Sequence, residues 1–335
     1  MRIALDVLGG DAAPAINLDG AAIALRQNPD LHLELVGDES ILVPELDARG
    51  DSLPEDRVQL VASRGCVGMD EKPTVALREK PDASITVCWR RLASGDVDAI
   101  VSAGNTGAVV ASGLKTRLYL RGVKRPGIAV VLPTMTGHVV LMDAGANPSC
   151  KPEHLDQYAR MGAVYVRNAL GIESPKVGLV NIGGEIGKGN ELVVETHKLL
   201  TAEGRGLGQI GAEYVGNVEG RELFEGAVDV AICDGFVGNV ILKAAEGMAS
   251  MMLSKFASDV LGKLDMPRER VGQTMHEFAA GYRHSEVGGA PLLGVDGLCL
   301  IAHGSSDDHA IANALAMATR LASNDLNSQL VDALG

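Results

Sequence analysis

Aromatic residues make up only 3% of the 335-residue chain, with one Trp, four Phe and five Tyr. A core must therefore be built from aliphatic side chains. The hydrophobic fraction of 46% is enough for one and excludes a disordered chain, which needs low hydrophobicity. Cysteine is scarce: Cys66, Cys88, Cys150, Cys233 and Cys299 are odd in number, far apart, and form no CxxC pair. That excludes a disulfide framework or a zinc knuckle and leaves reduced thiols packed as small hydrophobes. Positive charge is outnumbered, 30 Lys+Arg against 43 Asp+Glu, for a net of −13. So acidic a chain is a poor general binder of nucleic acid, and an anionic partner must use a local basic patch. No apolar run is expected to span a bilayer, and Asp6 comes too early for a signal peptide. The expected location is cytoplasmic, with a membrane surface still within reach.

Several signature loops are also missing. There is no G-x-x-x-x-G-K-[ST], no G-x-G-x-x-G after the first apolar run, and no G-x-S-x-G. A P-loop, a dinucleotide fingerprint and a hydrolase serine are therefore unsupported. His154, His197, His303 and His309 lack metal-ligand spacing, so no metal and no cofactor are expected.

What is present is alternation. Short apolar runs at 2–8, 31–37, 57–61, 98–102, 127–132, 138–143, 176–181 and 228–233 read as strands. Several are apolar at consecutive positions, as expected of strands covered on both faces. Helical stretches fall near 14–27, 84–94, 106–120, 152–170, 190–202, 236–264 and 306–323. Repeated βα alternation implies a mostly parallel sheet with helices on both faces. No linker or repeat interrupts it. A single interwoven α/β domain over 1–335 is expected, with a helical segment around 240–285 as a dimer or membrane-contact element.

Glycine clusters stand where strands give way to helices: Gly9-Gly10-Asp11, Gly104-Asn105-Thr106-Gly107, Gly183 to Asn190, Asp234-Gly235 with Gly238-Asn239, and His303-Gly304-Ser305-Ser306. Glycine lets a backbone approach a ligand, and helix N-termini offer free N–H groups to anions. One such loop is ordinary turn chemistry. Several carrying Asn, Ser, Thr or Lys point to a phosphate or acyl-oxygen site outside the carboxyl ends of strands.

Eight segments then carry a resemblance: ALDVLGGDAAP (4–14), MDEKPTVALREK (69–80), SAGNTGA (102–108), DAGANPSCKPEHLDQYARMG (143–162), NIGGEIGKGNE (181–191), CDGFVGNVILK (233–243), GGAPLLGVDG (288–297) and IAHGSSDDHAIANAL (301–315). Together and in this order they resemble the bacterial phosphate acyltransferases of phospholipid synthesis over nearly the whole chain. Departures are small: Gly184 stands where Thr or an acid is common, Val237 where Thr is common, and Ala83-Ser84 where a Ser pair is common.

The resemblance implies transfer of a fatty acyl group from acyl carrier protein to inorganic phosphate, giving acyl phosphate. That product would feed a membrane glycerol-3-phosphate acyltransferase. It also implies a three-layer α/β/α sandwich like that of isocitrate and isopropylmalate dehydrogenases, usually as a homodimer. Phosphate attacks the thioester directly, so the enzyme must hold the reactants and stabilise an oxyanion rather than supply a nucleophile. On that basis Lys188, Asn239 and His303 are the candidate catalytic residues. Gly104, Asn105, Thr106, Gly107, Gly187, Gly189, Asn190, Asp234, Gly235, Gly238, Ser305 and Ser306 are the candidate phosphate or acyl contacts. Asn239 and Asn105 are also candidate helix caps. Asp6, Asp11 and Asp143 are expected to bond loop amides.

Two surface features bear on partners. From Ile100 through Met142 there is no Asp or Glu, while Lys115, Arg117, Arg121, Lys124 and Arg125 form a basic block that suits an acidic carrier protein. Leu253, Phe256, Ala257, Val260, Leu261 and Leu264 follow helical spacing. Leu253, Phe256 and Val260 are the candidate membrane contacts, with core or dimer packing as the other reading. Competing functions are a phosphotransacetylase using a short acyl-CoA, a module that only recruits the carrier, and a decarboxylating dehydrogenase of the same fold.

Overall fold

The computed structural model describes residues 1–204, 206–259, 270 and 288–335. Its strands are β1 (Arg2–Asp6), β2 (His32–Gly37), β3 (Val58–Ala62), β4 (Ala99–Ser102), β5 (Gly127–Thr134), β6 (Gly137–Met142), β7 (Lys176–Val180), β8 (Glu213–Val218), β9 (Val230–Ile232), β10 (Ala290–Leu293) and β11 (Leu298–Ile301). They form one continuous sheet in the order β3-β2-β1-β4-β11-β10-β5-β6-β9-β7-β8. The described helices are α1 (Ala15–Gln27), α2 (Glu39–Arg49), α3 (Pro73–Glu79), α4 (Ser84–Ala93), α5 (Thr106–Thr116), α6 (Pro152–Leu170), α7 (Glu191–Thr201), α8 (Gly220–Glu225), α9 (Gly235–Asp259), α10 (Asp308–Ser323) and α11 (Leu326–Leu334).

Alternation along the strands builds two cores, one on each face of the sheet. Ile3 and Leu5, Ala99 and Val101, and Val140 and Met142 face a layer that holds Leu18, Tyr158, Ile311 and Leu330 from α1, α6, α10 and α11. The residues between them, Ala4, Ile100 and Leu141, face Trp89, Val109 and Leu223 from α4, α5 and α8. Strands covered on both sides explain the near-continuous apolar runs. The result is the expected three-layer α/β/α sandwich.

The sequence reading missed three strands. β10 and β11 are four residues each, and β10 contains Pro291, so neither shows a period. β8 lies at the sheet edge, holds Gly216 at a φ of 97°, and slips register against β7 at Val177/Gly178. The helix expected over 106–120 ends at Thr116, because Arg117 turns left-handed with a φ of 54°. In the helix expected over 236–264, residues 260–264, with Val260, Leu261 and Leu264, lie outside the described residues. The expectation of no spanning stretch is corrected too. Helix α9, at 25 residues, is long and apolar enough to cross a membrane by length and composition. Its apolar residues are interrupted by Lys243, Glu246 and Lys255, so no long unbroken apolar run announces it. Only Gly235 and Gly238 of that helix are buried.

Strand direction decides where the loops go. β1, β2, β3, β4 and β11 run parallel to one another. β10 pairs antiparallel with both β11 and β5, and β5 pairs antiparallel with β6, which runs parallel to β9. β7 and β8 follow β9. The carboxyl ends of β1, β4 and β11 therefore lie at one end of the sheet. Those of β6, β9, β7 and β8 lie at the other.

Candidate active site

The loops at the first end gather Asp6, Gly9, Gly104, Asn105 and the 303–306 turn. Gly9 and Gly104 pass so closely that a Cβ on Gly9 would stand 2.7 Å from the Gly104 nitrogen. The Asp11 N–H donates to the Gly304 carbonyl at 2.8 Å, tying two loops together. Asn105 caps α5: its Oδ1 accepts from the Ala108 N–H at 3.1 Å. Its Nδ2 donates to the carbonyls of Gly68, Met69 and Glu71, so the amide clamps the 68–71 loop. Thr106 and Gly107 are exposed beside it. His303 is exposed, and its Nδ1 lies 2.8 Å from the Ser305 hydroxyl and 3.2 Å from the Ser305 N–H, which donates to it. Ser306 closes that turn through its N–H to the His303 carbonyl at 2.9 Å.

Asp6 is buried beneath these loops. Its Oδ2 accepts from the Ser102 hydroxyl at 2.7 Å, while its Oδ1 has no partner among the described residues. Burial pushes its pKa above the usual carboxylate value, opposed by its hydrogen bonds. A carboxyl with a raised pKa binds its proton more tightly in the folded chain. Its contribution to stability is thus largest in acid and is lost as pH rises through the window above 3.8. Asp6→Asn is expected to flatten that decline in a series of urea midpoints against pH, and an unchanged slope would clear Asp6 of the effect.

At the second end, β6 runs into Asp143, β9 into Asp234 and β7 into Asn181. The buried Asp143 carboxylate organises the first of these loops. Its Oδ1 accepts from the N–H groups of Ile128, Gly145 and Ala146 at 3.0, 3.1 and 2.9 Å. Its Oδ2 accepts from the Asn147 N–H and side-chain amide at 2.7 and 3.1 Å. Burial raises its pKa while these donors pull it down. Asn147 in turn donates to the Pro126 carbonyl at 2.7 Å and the Tyr158 hydroxyl at 3.0 Å. Gly235 and Gly238 let α9 approach this loop: the Gly235 N–H donates to the Asn147 carbonyl at 2.9 Å, and a Cβ on Gly238 would overlap the Asp143 carbonyl oxygen.

The cap of α9 is Asp234, whose Oδ1 accepts from the Val237 N–H at 2.9 Å. Asn239 sits inside the first two turns, so its reading as a cap is corrected. Its amide is exposed, stands next to Gly145, and has no hydrogen-bond partner among the described residues. On the neighbouring strand end, Asn181 donates to the Lys188 carbonyl at 3.0 Å, which folds the 181–190 loop back. Gly187 and Gly189 take φ values of 91° and 99°, and Asn190 caps α7 by accepting from the Val193 N–H at 3.0 Å. Lys188 therefore lies two residues ahead of a helix N-terminus, where backbone and side chain favour the same negative charge. Its Nζ is exposed and pairs with Glu185 at 2.7 Å. An ion pair so exposed is weak and exchangeable with another anion. A pocket of about 120 Å³ beside it is lined by Ile186, Gly187, Lys188, Val193, His197 and Asn217, among others.

The structure thus groups Lys188, Gly187, Gly189, Asn190, Asp234, Gly235, Gly238 and Asn239 on adjoining strand ends. It places Gly104 to Gly107, His303, Ser305 and Ser306 at the opposite ends of the strands. The side-chain framework of Asn147, Asn181 and Asn217 was not singled out from sequence. Asn147 and Asn181 lie in the family-like segments 143–162 and 181–191, whereas Asn217 lies on β8, which shows no strand pattern in the sequence. The basic block flanks the second end. Lys115, Arg117, Arg121, Lys124 and Arg125 are all exposed. The segment is held by the Leu120 N–H on the Gly294 carbonyl and the Lys124 N–H on Gln157. Arg125 also helps to depress the His154 pKa, after burial.

A family profile described as fatty acid synthesis protein matches residues 1–329. The chain is 46% identical to a phosphate acyltransferase of Desulforamulus reducens over 100% of this chain and 96% of that one. It is 40% identical to a phosphate acyltransferase of Geobacter sulfurreducens, over 99% and 94%. The chain belongs to this family of phosphate acyltransferases. It is an acyltransferase. The fold is shared with a phosphotransacetylase from Streptococcus pyogenes, at a TM-score of 0.62 and 15% identity over 97% of this chain and 94% of that one. It is shared as well with a 4-hydroxythreonine-4-phosphate dehydrogenase from Klebsiella pneumoniae, at a TM-score of 0.50 and 12% identity over 96% and 99%. These likenesses place the architecture with the dehydrogenase-like folds expected from sequence.

Proposed function

We propose that this acyltransferase moves a fatty acyl group from acyl carrier protein to inorganic phosphate at the carboxyl ends of β6, β9 and β7. The observation that supports this reading is the pairing of an exchangeable cation, Lys188, with an unpartnered amide, Asn239, on neighbouring strand ends. A phosphate oxygen attacks the thioester carbonyl carbon, and the tetrahedral oxyanion collapses with loss of the carrier thiolate. Lys188 and the start of α7 hold phosphate charge, and the Asn239 N–H donates to the developing oxyanion. Acyl phosphate trapped with hydroxylamine tests the activity, with acyl carrier protein and CoA donors compared. Product that needs phosphate and prefers the carrier supports the proposal. A preference for short acyl-CoA would move the enzyme to the phosphotransacetylase reaction.

The basic block at the same end of the sheet supports docking of the acidic carrier there. Neutralising Arg117, Arg121 and Lys124 together is expected to raise the donor KM more than it lowers kcat. Salt should weaken the wild type more than the variant, because exposed charges are screened beyond about 10 Å at 0.1 M. An unchanged donor KM would move the docking site.

The exposed apolar side chains of α9 support a homodimer that sits on the inner face of the cell membrane from the cytoplasm, where acyl phosphate passes to the glycerol-3-phosphate acyltransferase. Leu253 is half-buried and Phe256 is 46% exposed. Replacing both with Ser is expected to release the enzyme from vesicles in a flotation assay while soluble transfer continues. Loss of the fold or of the dimer in that variant would assign the two side chains to packing.

A further inference from the structure

Four large apolar side chains on the same two adjoining strand ends as Lys188 and Asn239 are left in solvent. Ile182 and Ile186, in the loop that ends at Lys188, are 82% and 81% exposed. Phe236 and Val240, one turn apart at the start of α9 and flanking Asn239, are 65% and 52% exposed. The strands that deliver them are paired, Leu179 with Ile232, and Val180 and Val237 pack on the same core cluster. On α9 the exposed stripe continues from Val240 to Met248 and Met251, which are 55% and 53% exposed. These positions fall on one side of the helix at 3.6 residues per turn. From Val240 to Met251 the rise of the helix gives about 16 Å. An apolar surface of this extent calls for an occupant.

We propose that the hydrocarbon tail of the donor lies along this track, from Ile182 and Ile186 over Phe236 and Val240 onto the methionine face of α9, and that the track sets acyl chain-length preference. The argument is continuity. A cation and a free amide stand at the head of an apolar strip, matching an amphiphile whose thioester lies at the head and whose alkyl chain trails away. The inference rests on the transfer site assigned above. Unbranched Met side chains suit a tail that must be gripped in many conformations. An open track predicts graded selectivity rather than a sharp cut-off, because each methylene is only partly removed from water.

The test compares palmitoyl and butyryl thioesters of the same carrier protein, in buffer free of lipid and detergent. The Phe236→Ser, Val240→Ser double variant is expected to lower the palmitoyl-to-butyryl ratio of kcat/KM by about fifteenfold, on the order of two buried methylenes at roughly fourfold each. Sedimentation is run on the same variant. An unchanged ratio overturns the track. An equal loss with both donors, or a change of oligomeric state, overturns it as well and assigns the face to the reaction centre or to a second copy. Vesicle binding lost with the ratio unchanged assigns it to a bilayer. Lys188→Ala serves as the separate control. If that variant keeps near-normal turnover, the site reading fails; if it is inactive and the ratio is unmoved, only the track fails.

Discussion

Lys188→Ala is expected to remove most turnover while leaving the chain folded. The ammonium is exposed and, among the described residues, bonded only to Glu185 of its own loop, so deleting it removes no core packing. The loop itself is held by the Asn181 side chain on the Lys188 carbonyl, a bond that alanine keeps. What is lost is a charge placed at the start of α7, where it would hold the attacking phosphate against the thioester carbonyl. Removal of a donor aimed at a developing oxyanion costs on the order of 10²–10³ in kcat, and a loss in that range is anticipated here. Steady-state rates of acyl phosphate formation, with circular dichroism as the folding control, decide the matter. Near-normal rates in a folded variant would take Lys188 out of the centre. Asn239→Ala should lose less, chiefly in kcat.

The second large effect belongs to a residue with no proposed contact to substrate. Asp143 gathers five N–H donors in a fully buried position, one of them from Ile128 on β5 and two from Asn147. Asp143→Ala leaves those donors without their acceptor and opens a void beneath the loop that seats α9. Buried donors stripped of a charged partner cost about 1–3 kcal/mol each where water does not replace it, so a total loss of about 3–5 kcal/mol is expected. The measurement is the urea midpoint of the purified variant. Asp143→Asn should recover only part of the loss, because its amide turns one acceptor into a donor that faces other donors. Activity should fall as well, since Gly145, held by Asp143, packs against Asn239. A midpoint equal to that of the wild type in Asp143→Ala would show that the five bonds carry little net stability.

The layered architecture was legible in the sequence because its strands are long enough, and covered on both faces, to appear as unbroken apolar runs. Ile3 to Leu5 and Ile128 to Leu132 are the clearest of these runs. The Gly-rich loops were legible for a related reason: close backbone approach, as of Gly238 to Asp143, admits no side chain. The motif order carried the family. Three things depended on the tertiary structure. The short strands β10 and β11 have no period of their own and are fixed by pairing with each other and with β5 and β4. The hairpin of β5 with β6 reverses the second half of the sheet, so loops that look equivalent along the chain are sorted to opposite ends of the strands. This separates Lys188 and Asn239 from His303 and Asn105. The roles of single polar side chains were also settled by their neighbours. A helix cap, a loop clamp and a free amide are all written as asparagine, and it is the presence of Ala108 and Gly68 around Asn105, and the lack of such partners around Asn239 among the described residues, that separates them.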